Sequence, residues 1–347
     1  MHCGRLWASI AISGFGLLAC SDSTTTPPVA ARVAFESQPS ATVASAQPLG
    51  NVRVTVLTAD GEIAVGTYRQ VTISLLASDP SAQLSGTTVV ATNTGVANFQ
   101  DLSIVRAGTD FRLAASAAGL EGATSQPFTV TPAPPSQLRF DPFDHSLMMV
   151  GRDLPVVVRL TDAAGNTVPG ATNQVTIGYT PLGSFGMPGP QDGLFGPTTV
   201  AAVNGVATFS GLTFHKTGSY TLSATASGLA PATSSQLAMQ SAAPTNLMFV
   251  TQPANGTAGT ALPPFSVQLV DEYGNGESIP PGPTYSVTLS MGNNPSGATL
   301  GGTLTVQGPG VLRITFSNVT IDRPGTGYTL VATSGGRTVT SAPFNIQ

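Results

Sequence analysis

One phrase recurs three times along the chain, and it constrains the fold more than any other feature of the sequence. It reads GVANFQDLSIVRAGTDFRLAAS at residues 95–116, GVATFSGLTFHKTGSYTLSAT at 205–225 and, more loosely, GVLRITFSNVTIDRPGTGYTLVAT at 310–333. Phe99, Phe209 and Phe316 mark equivalent points, 110 and 107 residues apart. That spacing is an ordinary domain length and is far longer than a solenoid repeat. The sequence therefore predicts one module written three times.

Each copy alternates apolar and polar residues along short segments that turn residues separate, a pattern typical of β-strands. Turns at Gly61, Gly165 and Gly274 should adopt positive φ, and two of them read Asp-x-x-Gly-Asn, at residues 162–166 and 271–275. About seven strands per copy, without sustained 3.6-residue periodicity, predict an all-β chain of three tandem sandwiches. The predicted inward or edge positions are Val33/Phe35, Leu138/Phe140 and Leu247/Phe249; Val52/Val54/Val56, Val156/Val158/Leu160 and Phe265/Val267/Leu269; Val71/Ile73/Leu75, Val175/Ile177/Tyr179 and Val287/Leu289/Met291; and Val96/Phe99, Val206/Phe209 and Val311/Phe316.

An aromatic residue stands two positions before an inward leucine in every copy. The three sites are Phe111-x-Leu113-x-Ala115, Tyr220-x-Leu222-x-Ala224 and Tyr328-x-Leu330-x-Ala332. This pattern resembles the tyrosine corner of immunoglobulin sandwiches, with leucine where antibody domains have the second cysteine. Over residues 31–347 the chain resembles the bacterial immunoglobulin-like repeats of invasin and intimin type. That resemblance implies immunoglobulin-like sandwiches that serve as extracytoplasmic spacer or adhesion modules, without catalytic residues.

Two proline-containing segments separate the copies. They are TPAPPS at residues 131–136 and SAAPT at 241–245, where proline blocks continuation of a strand and stiffens a short joint. The predicted modules are therefore residues 32–132, 136–241 and 245–347.

The N-terminus resembles the signal peptide of a bacterial lipoprotein, predicted over residues 1–19. Arg5 precedes a short apolar run that ends in Leu17-Leu18-Ala19-Cys20, which is similar to a lipobox. The resemblance implies that Cys20 is lipidated and that residues 20–31 form a flexible tether holding a rod of modules to the membrane. Ser21 favours the outer membrane by the same resemblance. The alternative is a plain secretory peptide cleaved after Ala19.

Charge and cysteine content exclude several classes of function. Only 9% of the residues are charged, the formal net charge is −4, and no basic stripe exists to neutralise phosphates, so nucleic acid is an unfavourable partner. Cys3 and Cys20 are the two cysteines, and both lie in or at the end of the predicted signal peptide. The mature sandwiches are therefore expected to fold without a disulfide.

Few residues have the spacing that catalysis or metal binding requires. Asp144 and His145 are weak metal candidates, and the sequence favours a solvated loop there, because such a loop needs no special geometry. The Asp and Asn residues of the Asp-x-x-Gly-Asn turns could supply calcium ligands, but turn capping also accounts for them. His215 is expected to be exposed on a turn. Nucleophile-elbow, phosphate-loop and zinc-protease motifs do not occur in the sequence, so we predict a protein that is not an enzyme and has no cofactor.

The second copy carries a long loop at residues 180–197 that contains apolar side chains. Phe185, Met187, Leu194 and Phe195 could form a contact patch on a rigid sandwich. Alternatively, Leu194 packs as Leu84 and Leu300 do in the other copies.

The sequence favours a lipid-anchored surface protein whose modules act in adhesion and binding or as a structural spacer. Protein or glycan ligands and the membrane are the expected partners. One alternative is a carbohydrate-capturing accessory protein, which the absence of tryptophan after Trp7 disfavours. Another is an envelope spacer without a ligand. The sequence leaves the oligomeric state open.

Overall fold

The computed structural model describes residues 28–347, apart from 93, 144–147, 183–192, 277–283 and 310–312. Leu17, Leu18, Ala19, Cys20, Asp144, His145, Phe185, Met187 and Val311 lie outside the described residues. The described residues form strands and turns without a helix, as the all-β prediction requires. Among them, no helix is long and apolar enough to cross a membrane.

The first copy folds into a sandwich of two principal sheets. One sheet has the order β1-β3-β7; the other has the order β2-β11-β9-β4-β6, with β10 beside β9; and β5 pairs with β8. Neighbouring strands are antiparallel except β2 and β11, which are parallel. The strands are β1 (Ala30–Ser37), β2 (Thr42–Ala44), β3 (Val52–Thr58), β4 (Arg69–Leu76), β5 (Leu84–Ser85), β6 (Val89–Thr92), β7 (Val96–Phe99), β8 (Ser103–Ile104), β9 (Gly108–Ala117), β10 (Ala123–Thr124) and β11 (Phe128–Thr131).

The second copy repeats this arrangement with the sheets β12-β13-β17 and β16-β14-β19-β20, where β21 also pairs with β19 and β15 pairs with β18. Its strands are β12 (Gln137–Phe140), β13 (Val156–Thr161), β14 (Gln174–Pro181), β15 (Leu194–Phe195), β16 (Thr199–Ala201), β17 (Val206–Phe209), β18 (Thr213–Phe214), β19 (Gly218–Thr225), β20 (Ala232–Thr233) and β21 (Leu237–Met239).

The third copy has the sheets β22-β23-β27 and β26-β24-β30-β31, with the pairs β25-β28 and β29-β32. Its strands are β22 (Asn246–Thr251), β23 (Phe265–Val270), β24 (Thr284–Met291), β25 (Leu300–Gly301), β26 (Thr305–Pro309), β27 (Arg313–Phe316), β28 (Thr320–Ile321), β29 (Gly325–Tyr328), β30 (Leu330–Ser334), β31 (Arg337–Thr340) and β32 (Phe344–Ile346). Each copy therefore has more and shorter strands than the predicted seven, since two-residue pairs such as β25 with β28 close its ends.

Each sandwich encloses its own hydrophobic core, built from side chains of both sheets. The three clusters of buried residues run from Val33 to Val130, from Leu138 to Met239 and from Leu247 to Ile346. The corner leucines Leu113, Leu222 and Leu330 are fully buried in them. Leucine packing thus occupies the position that a disulfide holds in antibody domains, and burying a side chain of this size contributes about 1.5–3 kcal/mol.

The described residues form two compact units, one ending at Thr131 and one spanning Pro132–Gln347. The second unit contains the second and third sandwiches. β1 begins at Ala30, inside the segment predicted to be a tether, because the backbone there pairs with β3 opposite Thr58.

The predicted core was wrong at two points. Tyr179, predicted to face inward, is 38% exposed. The second point concerns the strands that carry Phe99 and Phe209. Val96 and Val206 are only half-buried, whereas Ala97, Ala207 and Ile314 share the buried face with the phenylalanines of β7, β17 and β27. Residues three positions apart point to opposite faces of a strand, so a valine and a phenylalanine at that spacing cannot both face the core.

Candidate functional site: the joint between the second and third copies

A buried carboxylate ties the linker to the third sandwich. Asp271 is 1% exposed, and its Oδ1 accepts the backbone N–H groups of Tyr273 and Asn275, both at 2.9 Å. Its Oδ2 accepts the N–H of Ala242, a linker residue, at 3.2 Å. Gly274 lies in this turn at φ +80°, as the turn motif predicts. The motif therefore shapes its own hairpin and also fixes the chain that enters the sandwich.

Asp162 does the same in the second copy. Its Oδ1 accepts from the N–H groups of Ala164 and Asn166, and its Oδ2 accepts from the linker N–H of Ala133 at 3.1 Å. Burial alone would raise the pKa of Asp162, but the hydrogen bonds from Asn166, Ala133 and Ala164 outweigh it and lower the pKa below its ordinary value. Asp162 is therefore held as a carboxylate inside the turn.

Asn275 reaches from the third sandwich into the second. Its side chain is 3% exposed. Its Nδ2 donates to the Asp271 carboxylate at 3.0 Å and to the backbone carbonyl of His215 at 2.8 Å. Its Oδ1 accepts the backbone N–H of Thr217 at 3.2 Å. One amide group thus satisfies two backbone groups of the preceding copy.

Three rings form a stack at the same joint, two from the second copy and one from the third. The His215 ring lies between Phe195, at a centroid distance of 4.1 Å, and Tyr273, at 4.2 Å, with both interplanar angles at 14°. Tyr273 also packs against the core of the second copy, although it belongs to the third. Burial, and then the charge of Glu272, raises the pKa of Tyr273, so its hydroxyl stays neutral at physiological pH.

Gly151 makes room for the tyrosine. A Cβ at this position would lie 2.6 Å from the Tyr273 hydroxyl oxygen, and the backbone has φ +73°. The Gly151 N–H donates to the carbonyl of Phe214 at 2.8 Å, which holds this loop against the strand that precedes His215. A side chain at residue 151 would push Tyr273 out of the joint.

Two of the four residues predicted for a binding loop are engaged in packing. Leu194 pairs with Phe214 and packs against the core, as Leu84 pairs with Ile104 and Leu300 with Ile321. Phe195 stacks on His215. Phe185 and Met187 lie outside the described residues, so a contact patch on this loop stays a prediction.

Some of the predicted metal ligands lie within the described residues and others do not. Asp144 and His145 lie outside the described residues. Nearby Asp141 accepts two hydrogen bonds from Arg159, at 2.6 and 2.8 Å. The Asp and Asn residues of the Asp-x-x-Gly-Asn turns are buried and bonded to each other, and the two Asp residues also accept hydrogen bonds from the linkers. Over the described ranges, no group of three or more His, Cys, Asp or Glu side chains is placed to hold a metal ion.

The corner aromatics Phe111, Tyr220 and Tyr328 are buried side chains of β9, β19 and β29. The Tyr220 hydroxyl donates to the carbonyl of Lys216 at 3.0 Å. That of Tyr328 donates to the carbonyl of Arg323 at 2.9 Å. Phe111 has no hydroxyl and packs against Phe128 at 6.0 Å.

Sequence reasoning missed the joint. His215 was expected to be exposed, but it is half-buried because rings cover both of its faces. One signal was present: Asn occupies the last turn position in the second and third copies, which follow another copy, whereas the first copy has Glu62.

No protein-family model matches the chain, and no curated protein matches it. Among solved structures, it is similar to FdeC, an adhesin of Escherichia coli, at 17% identity over 93% of this chain and 99% of that one, with a TM-score of 0.35. The titin I-band fragment I67–I69 shows 13% identity over 92% and 100% of the two chains, with a TM-score of 0.26. InvE, an adhesin of Yersinia pseudotuberculosis, shows 18% identity over 58% and 55%, with a TM-score of 0.24. With similarities this low, we draw no functional conclusion from these structures.

Proposed function

We propose that this chain is a non-enzymatic protein of the bacterial cell envelope, anchored by lipid on Cys20, whose sandwiches act as a spacer that holds a binding surface away from the membrane. The observation that carries the proposal is the joint of Asn275, His215 and Tyr273. A protein that needed only independent modules would not require buried contacts between them.

The interaction energy at the joint supports a fixed orientation of the third sandwich relative to the second. The two cross-copy hydrogen bonds of Asn275 contribute roughly 1 kcal/mol each, and the one ring stack that joins the copies, His215 on Tyr273, contributes about 0.5–1.5 kcal/mol. A total near 3 kcal/mol would hold open arrangements of the second and third sandwiches below about 1%. A spacer transmits position only if its joints stay closed to this degree.

The anchor has a direct test. We expect Cys20→Ala to accumulate as an unprocessed precursor without a lipid label, and globomycin to leave an unprocessed precursor in wild-type cells. Cys3→Ser is the matched control, since Cys3 lies in the predicted signal peptide. Unchanged processing and unchanged lipid labelling of Cys20→Ala would contradict lipid anchoring.

The spacer role needs a measurement of height. An epitope fused after Gln347 can be located above a supported membrane by energy transfer to a lipid dye. We expect the double variant Tyr273→Ala/Asn275→Ala to give a broader and shorter distance distribution than the wild type. Equal distributions in the two proteins would refute a spacer function for this joint.

A further inference from the structure

In the first and third copies, a glutamine side chain of the same copy accepts one exposed backbone N–H. Oε1 of Gln38 accepts the backbone N–H of Gln126 at 3.0 Å, and Oε1 of Gln252 accepts that of Ala342 at 2.9 Å. Each donor directly follows a serine whose hydroxyl oxygen accepts the N–H of the corner leucine, Ser125 for Leu113 and Ser341 for Leu330. The carboxamide therefore occupies the same structural position in both copies.

The second copy has the donor without the glutamine. Ser234 accepts the N–H of Leu222 at 2.9 Å, so the N–H of Ser235 stands where those of Gln126 and Ala342 stand. The chain after Phe140 reads Asp-Pro-Phe, whereas the other copies read Glu-Ser-Gln-Pro and Val-Thr-Gln-Pro after the equivalent phenylalanine. Ser235 is exposed, and no acceptor for its N–H occurs within the part of the chain that the structure describes.

A groove of about 460 Å³ opens at this position in the second copy. Phe140, Pro142 and Phe143 form one wall, and Thr233 and Ser235 form the other. The two phenylalanine rings lie 5.9 Å apart, tilted by 40°. The groove thus combines an apolar wall, suited to a methylene stem, with a backbone donor suited to a carbonyl oxygen.

Among the described residues that line the groove, the charge is positive. Asp141 is paired with Arg159 through two hydrogen bonds, which offset its charge. Arg139 also lines the groove, is exposed, and forms no ion pair with any described residue. An acidic side chain of a ligand could form an ion pair with Arg139.

We propose that this groove binds an extended segment of a partner polypeptide, with a glutamine carboxamide on the Ser235 N–H and an acidic residue beside Arg139. The first and third copies show the chemistry that fits, because their own glutamines make the equivalent bond. The ligand is a peptide because the two glutamines that model it are themselves part of a polypeptide that directly follows an edge strand, β1 or β22. This inference does not depend on the spacer role.

The test uses the full chain, labelled with ¹⁵N, and the peptide acetyl-Phe-Glu-Ser-Gln-Pro-amide, which copies residues 35–39. We expect the peptide to shift the amide resonance of Ser235. A matched peptide with leucine in place of glutamine should bind about fivefold more weakly, since it loses one hydrogen bond of about 1 kcal/mol. Reversing the ligand charge, with lysine in place of glutamate, should weaken binding further.

Two variants separate binding from folding. Replacing Pro142-Phe143 with Ser-Gln-Pro restores the loop of the first copy and should abolish the Ser235 shift while the spectrum stays dispersed. Gln252→Ala empties the equivalent position in the third copy and should add a peptide-dependent shift at Ala342. The proposal is overturned if the Ser235 resonance does not move, if the leucine peptide binds equally well, if the restored loop binds as the wild type does, or if an N-acetylglucosamine oligomer binds there in place of the peptide.

Discussion

Asn275→Ala should open the joint between the second and third sandwiches. The substitution removes the donor to the His215 carbonyl and the acceptor for the Thr217 N–H. It also removes a donor to the buried Asp271 carboxylate, which keeps its three backbone donors. A buried polar group left without a partner costs about 1–3 kcal/mol, so we expect a loss of roughly 3 kcal/mol at the joint.

Hydrogen exchange at the Thr217 amide measures this loss locally. A change of roughly 3 kcal/mol corresponds to about a hundredfold faster exchange, if the amide exchanges through opening of the joint. Asn318→Ala is the matched control, because Asn318 lies in the same sandwich but is exposed, and water can replace its bonds to Thr303. Equal exchange rates at Thr217 in the two variants would refute the reasoning.

Three further predictions concern single sandwiches. Asp162→Asn should be destabilised at neutral pH. Its deficit in unfolding free energy should shrink as the pH falls below 3.8, because the unfolded wild type then takes up a proton that the folded chain, with the lowered pKa of Asp162, does not. Urea unfolding at several pH values measures this, and a pH-independent deficit would count against it. Gly302→Ala would place a Cβ 2.0 Å from a backbone carbonyl oxygen at φ +89°, whereas the Cβ of Gly336→Ala, at φ +81°, would meet no atom within 4 Å. In thermal unfolding we expect Gly336→Ala to lose about 1–2 kcal/mol of stability and Gly302→Ala clearly more. Similar losses in the two variants would contradict the steric argument. Tyr328→Phe should lose about 1 kcal/mol through its bond to a backbone carbonyl, and an unchanged unfolding midpoint would show that the corner bond contributes nothing.

Strand alternation made the sandwiches predictable from the sequence. Positions two residues apart share a face, so Val52, Val54 and Val56 could be assigned to the core, and all three are fully buried. The error at Val96 has the same origin, since its odd spacing from Phe99 contradicts that period. The turn glycines were predictable because few residues other than glycine adopt a positive φ without strain. Gly61, Gly165 and Gly274 all adopt it.

Contacts between copies could not be derived in this way. Whether His215 meets solvent or a ring depends on how the next sandwich docks, and strand periodicity within one copy has no information about docking. The vacant position at Ser235 is likewise visible only when three folded copies are compared, because Gln38 and Gln252 lie nearly 90 residues away from the donors they cap.

The fixed joint is tested most directly by a distance between spin labels in the second and third sandwiches. Ala238 and Thr315 are both exposed, so Ala238→Cys and Thr315→Cys can carry the labels in a chain whose Cys3 and Cys20 are replaced by serine. Pulsed electron paramagnetic resonance then measures the distance between the two labels. We expect one narrow distance distribution, which broadens when Tyr273→Ala and Asn275→Ala are added together. A distribution that is already broad in the unaltered joint would contradict the account.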